Sequence, residues 1–439
     1  MLEPLYTAEE MRAAEAGHDV EAMMERAGGA VAATVARDYP GARVIAVCGR
    51  GANGGDGRIA AGELGANVVE VGEELPEADV VIDAIFGTGF HGEPREEAAG
   101  SIDAIRSANV PVVSVDIPSG VNASTGEIAG TSVEARTTVT FHGEKVGLAV
   151  APGSLQAGRV EVADIGLEQA ETAHARVTSE IARQIPQRRR DGNKYRSGSV
   201  LVVGGAPGMT GAASLAAEAA FRADAGYVTV CSPRQSMQVI ETLLVEAVKR
   251  PLEEVMDAAE RAGALALGPG LGRDAAARRL VRRLLEDTEL PAVVDADALF
   301  GFEPVERNAP MVLTPHSGEL GRLLEVETAW VDAHRLEATH RAIERFACVV
   351  LLKGNDTIVA APGSRTLISA GTPRLATAGT GDVLTGIIGA FLSKGMEAQL
   401  AAAVAARVHA DAALAAPHER GLVASDVIAA LPGVLDAAL

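Results

Sequence analysis

The sequence predicts an α/β protein built as two doubly wound units, one after the other in a chain of 439 residues. Three observations predict it. Short runs rich in Val and Ile recur with helical stretches between them, and several are continuous rather than alternating, as strands buried on both faces read. Glycine is abundant, at 48 residues, and alanine runs are frequent, while aromatics make up 3%, a composition suited to helices lying close on a parallel sheet. The alternation of strand and helix also fades in a polar stretch and then restarts.

Taken in order, Thr7-Ala-Glu-Glu10 fits a capping box in which Thr7 accepts from the Glu10 backbone N–H and the Glu10 side chain reaches back, so a helix begins there. The first set of strands is read at 43–48, 67–71, 80–84, 112–115, 137–141 and 160–162. Between Asp164 and Gly198 the apolar periodicity weakens, and Gln187 to Arg196 is polar and basic against an acidic background. A boundary is expected near residue 175, giving domains 1–175 and 176–439, with the arginine run as a solvated connector from which Lys194 can reach a ligand. The second set is read as a strand at 199–203, a helix at 210–225, strands at 227–231, 264–267, 292–295 and 311–313, and a hairpin of 349–352 with 357–360.

With 48% hydrophobic and 22% charged residues the chain can bury a core and is not a disordered tail. A net charge of -20 repels a phosphate backbone, which argues against nucleic-acid binding and requires any anionic ligand to be held locally. Cys48, Cys231 and Cys348 each sit in an apolar run without metal or redox spacing and are read as core. The opening lacks the basic-then-apolar order of a signal peptide, and no apolar run reaches about 18 residues. A cytosolic protein that does not span a membrane is expected.

In the first half, Gly49-Arg-Gly-Ala-Asn-Gly-Gly-Asp-Gly57 follows the strand ending at Cys48 and precedes a helical stretch. Glycines and a helix N-terminus there can hold an anion or polar ring substituents, and equally can form a structural turn. Asn53 and Asp56 suit a cation or ligand hydroxyl and amide groups better than a phosphate. Asp83-Ala-Ile-Phe-Gly-Thr-Gly-Phe90 and Asp116-Ile-Pro-Ser-Gly-Val-Asn122 occupy two further strand ends, where open sheets bind ligands. Asn53, Asp83 and Ser119 supply hard oxygen donors suited to an alkali or alkaline-earth cation, with none of the His/Cys softness of a zinc site. Each of these residues taken singly reads equally well as a turn cap.

In the second half, Gly379-Thr-Gly-Asp382 precedes the apolar helical run 387–392. Small residues at a helix start leave backbone N–H groups for an anion, and the carboxylate at the mouth can take a hydroxyl proton, a pairing suited to phosphoryl transfer. Asp382 as a plain N-cap is the structural alternative. Lys353-Gly-Asn-Asp-Thr357, Thr314-Pro-His-Ser-Gly-Glu319, Gly268-Pro-Gly-Leu-Gly272 and Asp295-Ala-Asp-Ala298 lie at other strand ends. There Lys353 can meet nucleotide phosphates and His316 can donate to a ligand carbonyl or phosphate.

The runs MRAAEA, MMERAG, GRGANGGDG, VIDAIFGTGF, VDIPSGVNASTGE and TFHGEKVGL, in this order, resemble the NAD(P)H-hydrate epimerase family over the first half. The resemblance implies a Rossmann-like three-layer domain that binds potassium and interconverts the R and S forms of NADHX and NADPHX, the hydrated reduced nicotinamide cofactors. It places the dinucleotide against Ala52, Asn53, Gly54, Gly55 and Asp56, against Gly87, Thr88, Gly89, Phe90, His91, Gly92 and Glu93, and against Asp116. Potassium falls to Asn53, Asp83 and Ser119. Ala52 stands where that family usually has Asn, and His91 where it commonly has Lys or Arg; an imidazole titrates near neutrality and can serve in proton transfer.

The second-half motifs, with NKYRSG, VLVVGGAPGMTGAA and RADAGYVTV, resemble the ADP- or ATP-dependent NAD(P)H-hydrate dehydratase family, a branch of the ribokinase-like fold. That resemblance implies phosphorylation of the 6-hydroxyl of the S epimer, elimination of phosphate, a magnesium-bound adenine nucleotide with ADP favoured as donor, and a homo-oligomer. It assigns Ala212, Gly270, Gly272 and His316 to the hydrated dinucleotide, Lys353, Gly354, Asn355, Asp356, Thr357 and Gly381 to the nucleotide, and Asp382 to the reacting hydroxyl. The alternative is a hydroxymethylpyrimidine- or thiazole-type vitamin kinase fused to a non-catalytic Rossmann-like module acting as a scaffold or RNA-associated partner.

Overall fold

Strands that are apolar at every position must be covered on both faces, and the computed structural model, which describes residues 1–188 and 197–438, covers them. The chain divides into two compact units, one of residues 4–175 with 332–334, the other of 1–3, 176–331 and 335–439. Lys194 and most of the arginine run lie outside the described residues.

In the first unit six parallel strands run in the spatial order Asn67–Glu70, Val44–Cys48, Val80–Ala84, Val112–Val115, Thr137–Phe141 and Arg159–Ala163. Register sorts their side chains by face. Ala46, Cys48, Ile82 and Ala84 pack with Val31 and Val35 of the helix Val20–Asp38 and with Ala60 and Ala61 of the helix Ala52–Leu64. Val47 and Val81 pack on the opposite face with Ile102 and Ile105 of the helix Glu96–Ser107. Helix, sheet and helix make three layers, as expected. The chain leaves Val44–Cys48 for a neighbour on one side and returns to Val80–Ala84 on the other, so the strand order reverses there and opens a crevice above the strand ends. A short parallel pair, Leu5 with Glu144 and Tyr6 with Lys145, lies outside this sheet.

The second unit orders its strands Val248–Pro251, Tyr227–Ser232, Ser199–Val203, Ala264–Leu267, Ala292–Val294, Met311–Leu313, Val349–Leu352, Asp356–Ala360 and Thr366–Ala370. The first seven are parallel and the last two join antiparallel, extending the expected hairpin by a strand. The helix Thr380–Ser393 is buried from Val383 to Leu392 and uses glycine to pack on both the helix Thr210–Arg222 and the sheet. A Cβ on Gly386 would lie 2.1 Å from the Ala216 carbonyl oxygen, and one on Gly389 would lie 3.2 Å from Val200.

The helix expected at 210–225 stops at Arg222, and the capping box at Thr7 is present. All three cysteines are buried and free. No described helix is long and apolar enough to cross a membrane.

Candidate functional sites

The glycine-rich run after Cys48 is mostly helix rather than loop, which corrects the sequence expectation. The helix starts at Ala52, so Asn53, Gly54, Gly55 and Asp56 form its first turn. Packing overrides glycine's poor helix propensity. A Cβ on Gly54 would sit 1.9 Å from the Gly49 carbonyl oxygen, and one on Gly57 would sit 2.4 Å from the Ala84 side chain, so only glycine lets this turn press onto the strand ends.

Below that turn Asp83 is fully buried at the end of its strand. Its Oδ1 accepts from the Ser119 hydroxyl at 2.6 Å, and its Oδ2 accepts from the Ser114 hydroxyl at 2.8 Å and the Ser119 backbone N–H at 2.9 Å. Burial pushes its pKa up against the pull of these hydroxyl and N–H donors. The Phe86 backbone joins the rest: its N–H donates to Ser119 Oγ and its carbonyl accepts from Asn53 Nδ2. Asn53, Asp83 and Ser119 therefore converge on one turn.

Beside them lies a second charged group. Asp116 has a left-handed φ of 65°, rare for a side chain other than glycine, and its Oδ1 meets Lys145 Nζ at 2.6 Å. Asp56 is buried nearby with an Oδ1 that has no hydrogen-bond partner, and burial, followed by the charges of Asp116 and Glu15, pushes its pKa up to about 8. Glu15, on the first helix, is also raised, by burial and then by Asp116. In the segment Gly87 to Glu93 the Phe86 and Phe90 rings stack at 4.4 Å, Thr88 is half-buried, and His91, Gly92 and Glu93 are exposed. His91 turns its Nδ1 to the Gly89 carbonyl. A cavity of 1320 Å³ at the opposite end of the sheet, lined by Arg37, Arg106, Arg136 and Arg159 among others, is remote from this chemistry.

In the second unit the helix Thr380–Ser393 begins at Gly379 in the left-handed conformation, with no side-chain cap, so the N–H groups of its first turn are open to an anion. Asp382 therefore sits within the first turn and is not the cap. Burial raises its pKa to about 7, with the Asp295 and Asp297 charges adding to the rise and Lys353 opposing it. Lys353 Nζ donates to Asp295 Oδ1 at 2.7 Å and approaches Glu319 at 3.9 Å. Burial works against its charge, yet the Asp295 and Glu319 carboxylates hold its pKa above the ordinary value. A Cβ on Gly381 would lie 3.6 Å from Lys353 Nζ, which places the ammonium at the helix start. Asp295 is held again by the Thr385 hydroxyl at 2.6 Å.

Ala212 and Gly270 meet, since a Cβ on Gly270 would lie 3.2 Å from that of Ala212, and the Gly272 N–H donates to Asp297 Oδ2 at 3.0 Å. These contacts chain the glycine loop to Asp295 and Lys353. His316 caps the helix Ser317–Leu324, its Nδ1 accepting from the backbone N–H groups of Gly318 and Glu319. That bonding assigns the neutral tautomer with the proton on Nε2, the nitrogen able to donate to a ligand.

Asp356 is oriented away from the open side: it is buried, and its Oδ2 accepts from Arg335 Nε at 3.1 Å. Arg335 also donates to the Lys353 and Asp356 carbonyls and to Ser317 Oγ, while Gly354, Asn355 and Thr357 remain at least partly exposed. Gly354 is required there, since a Cβ would come 2.4 Å from the guanidinium.

Comparison with known proteins decides the family. The model for the NAD(P)H-hydrate dehydratase family matches residues 200–432, and that for the YjeF-related protein N-terminus matches 20–72 and 65–147. A bifunctional NAD(P)H-hydrate repair enzyme of Moorella thermoacetica is 38% identical over 94% of this chain and 92% of its own. This chain belongs to the bifunctional NAD(P)H-hydrate repair enzymes. An Escherichia coli relative of the same description is 32% identical over 94% of this chain and 89% of its own. The ADP/ATP-dependent NAD(P)H-hydrate dehydratase of Bacillus subtilis, co-crystallised with ATP/Mg2+, superposes with a TM-score of 0.55 at 29% identity, over 60% of this chain and 98% of that one. A ribokinase-like superfamily protein of Enterococcus faecalis gives 0.54 at 25% identity, over 62% and 98%. The repair-enzyme chain thus pairs a Rossmann-like epimerase half with a ribokinase-like dehydratase half, and the vitamin-kinase alternative is not favoured.

Sequence reasoning gave no role to Glu15, Lys145 and Arg335, and named Asp295 only as part of a strand-end motif, although the structure gathers all four at the candidate sites. Lys145 lay within the TFHGEKVGL run just after a strand, but its neighbours Gly143 and Glu144 gave no sign that its ammonium would be buried. Asp295 opens the DADA run, whose strand-end position was visible while its partner was not. For Arg335, on a helix remote in sequence from the loop it holds, no local sign existed. Replacing Arg335 by Ala leaves the Asp356 carboxylate buried without its cation and is expected to cost about 3–5 kcal/mol, read as a lowered urea midpoint of the dehydratase unit. An unchanged midpoint would refute the structural role of this pair.

Proposed function

We propose that the chain clears both epimers of hydrated NADH and NADPH. The first unit, within residues 1–175, interconverts R and S, and the second, within 176–439, phosphorylates the 6-hydroxyl of the S epimer and eliminates phosphate. The observation that carries the reading is Asp382, a carboxylate with a raised pKa in the first turn of an uncapped helix beside Lys353. The N–H groups of that turn bind the migrating phosphoryl group, and Asp382 accepts the hydroxyl proton. Lys353, neutralised by Asp295, places positive charge where the phosphoryl oxygens pass. Ala212, Gly270, Gly272 and the Nε2–H of His316 form the side that receives the hydrated dinucleotide, and Gly354, Asn355, Thr357 and Gly381 receive the adenine nucleotide.

Magnesium fits as a passenger of the nucleotide. Asp295 is engaged by Lys353 and Thr385, and Asp297 by Arg273 and the Gly272 N–H, which leaves few protein oxygens and suits an ion held largely by phosphates. Potassium fits the first unit. Asp83 is bonded to neutral donors and to no basic side chain among the described residues, so a monovalent cation held with Asn53 and Ser119 would supply the missing positive charge. The helix turn 52–56 and the segment 87–93, with Asp116, would take the dinucleotide.

The test supplies a mixed R/S NADPHX sample with ADP or ATP separately. ADP is expected to support conversion of both epimers to NADPH. Clearance of the S epimer alone would remove the epimerase half of the reading, and no clearance with either nucleotide would remove the whole.

A further inference from the structure

Epimerisation at C6 requires one proton given and one taken, and besides the buried Asp83 the first unit holds two further buried carboxylates, Asp56 and Asp116, in unlike settings. Asp116 is locked. Lys145, itself fully buried, donates to Asp116 Oδ1 at 2.6 Å, to Thr140 Oγ1 at 2.9 Å and to the Phe141 carbonyl at 2.8 Å, so its ammonium has three partners for three protons. Thr140 adds its own hydroxyl to Asp116 Oδ1 at 3.0 Å. The position of Lys145 follows from the pairing of its backbone with Tyr6, and that of Asp116 from its left-handed turn.

Asp56 has the opposite setting. Its Oδ1 is buried without a hydrogen-bond partner, and the charges facing it are the carboxylates of Asp116 and Glu15. An unpartnered carboxyl oxygen among like charges is accommodated by a proton. The other charged or titratable groups around the pair are Lys145 and His142, which follow the strand Thr137–Phe141, and Arg12, on the helix that carries Glu15.

We propose that Asp56 is the general acid and Asp116 the general base of epimerisation, with Lys145 as the positioning residue that keeps Asp116 in the ionised role. This rests on the epimerase reading of the first unit. Asp56 gives its proton to the C6 hydroxyl, the C6–O bond breaks, and the ring nitrogen's lone pair forms C6=N1+ as water departs. A second water attacks the opposite face, the new C6–O bond forms, the electron pair returns to N1, and Asp116 takes the released proton. The opposite epimer is processed with the roles reversed, as microscopic reversibility requires.

The experiment follows epimerisation by the full chain in H2-18O, with conversion of the S epimer to NADPH as the control for a folded preparation. Each inversion is expected to place one 18O at C6, and the rate is expected to fall above a pH of about 8, where Asp56 loses its proton. Asp56→Asn should slow inversion by roughly 10²–10⁴-fold. Lys145→Met should slow it too, in kcat with KM little changed, and Lys145→Arg should restore part of the rate, which loss of a merely structural contact would not do. Inversion without 18O would overturn the proposal by showing that C–N cleavage is used instead. An Asp56→Asn rate within threefold of the unaltered enzyme would overturn it as well. If the unaltered chain inverts nothing, the epimerase reading itself fails, which is a distinct result. The isotope and pH measurements need no variant, so they decide the matter even if Asp56→Asn does not fold.

Discussion

Asp382→Asn is expected to abolish most dehydration while leaving epimerisation untouched. Asparagine matches the carboxylate in size and cannot accept the hydroxyl proton, so conversion of the S epimer should fall by roughly 10²–10⁴-fold, the worth of a positioned base. The helix does not depend on this side chain for its start, because Gly379 is the N-cap. The variant should also be more stable than the parent in a pH-dependent way. A carboxyl whose folded pKa is raised from 3.8 to about 7 binds its proton more tightly in the folded state. The resulting cost to folding is absent below the unfolded value, grows between the two values and is constant above about 7. Thermal unfolding should therefore show a higher Tm for the variant at pH 8 and none of that gain at pH 3. In the parent enzyme kcat/KM for dehydration, which reports the free enzyme, should rise with pH through about 7 as the base is freed. Near-normal conversion by the variant would assign the carboxylate to structure instead.

The same gain would illustrate why active sites resist being read as stable local structure. Buried like charges at Asp295, Asp297 and Asp382 oppose folding, and the chain retains them where chemistry requires them.

What the sequence made legible follows from which forces act locally. The strands Val80–Ala84, Val112–Val115 and Thr137–Phe141 read cleanly because both faces are covered, every position is buried and β-branched residues dominate. Val248–Pro251 did not, since an edge strand bearing Lys249 and Arg250 and ending in proline carries no such run. The helix start at Ala52 was hidden by glycine's low propensity, which the contacts of Gly54 and Gly57 outweigh. Motifs at strand ends put Asp83 and Asp116 at one edge of their sheet, because parallel sheets gather such ends there. Their partners are another matter. Lys145 meets Asp116 through a strand pairing set by Tyr6, and Lys353 meets Asp295 across the one intervening strand Met311–Leu313, so neither contact has a local signature.

Asp83→Ala tests the part of the first site where fold and chemistry are hardest to separate. Removing the carboxylate strands the Ser114 hydroxyl, the Ser119 hydroxyl and the Ser119 N–H inside the protein, each at a cost of about 1–3 kcal/mol when no other acceptor is reached. The first unit should lose several degrees of Tm by that mechanism alone. The functional effect should be larger and of a different kind. Without its anionic ligand a cation site of neutral oxygens binds potassium poorly, so epimerisation should fall by at least about 100-fold and cease to distinguish potassium from sodium buffers. Conversion of the S epimer by the second unit provides the internal reference, because Asp382 and Lys353 belong to the other compact unit. A variant that keeps its rate in both buffers would remove the cation from Asp83, whereas one that loses stability yet still responds to potassium would show that Asp83 orders the turn at Phe86 while other oxygens hold the ion.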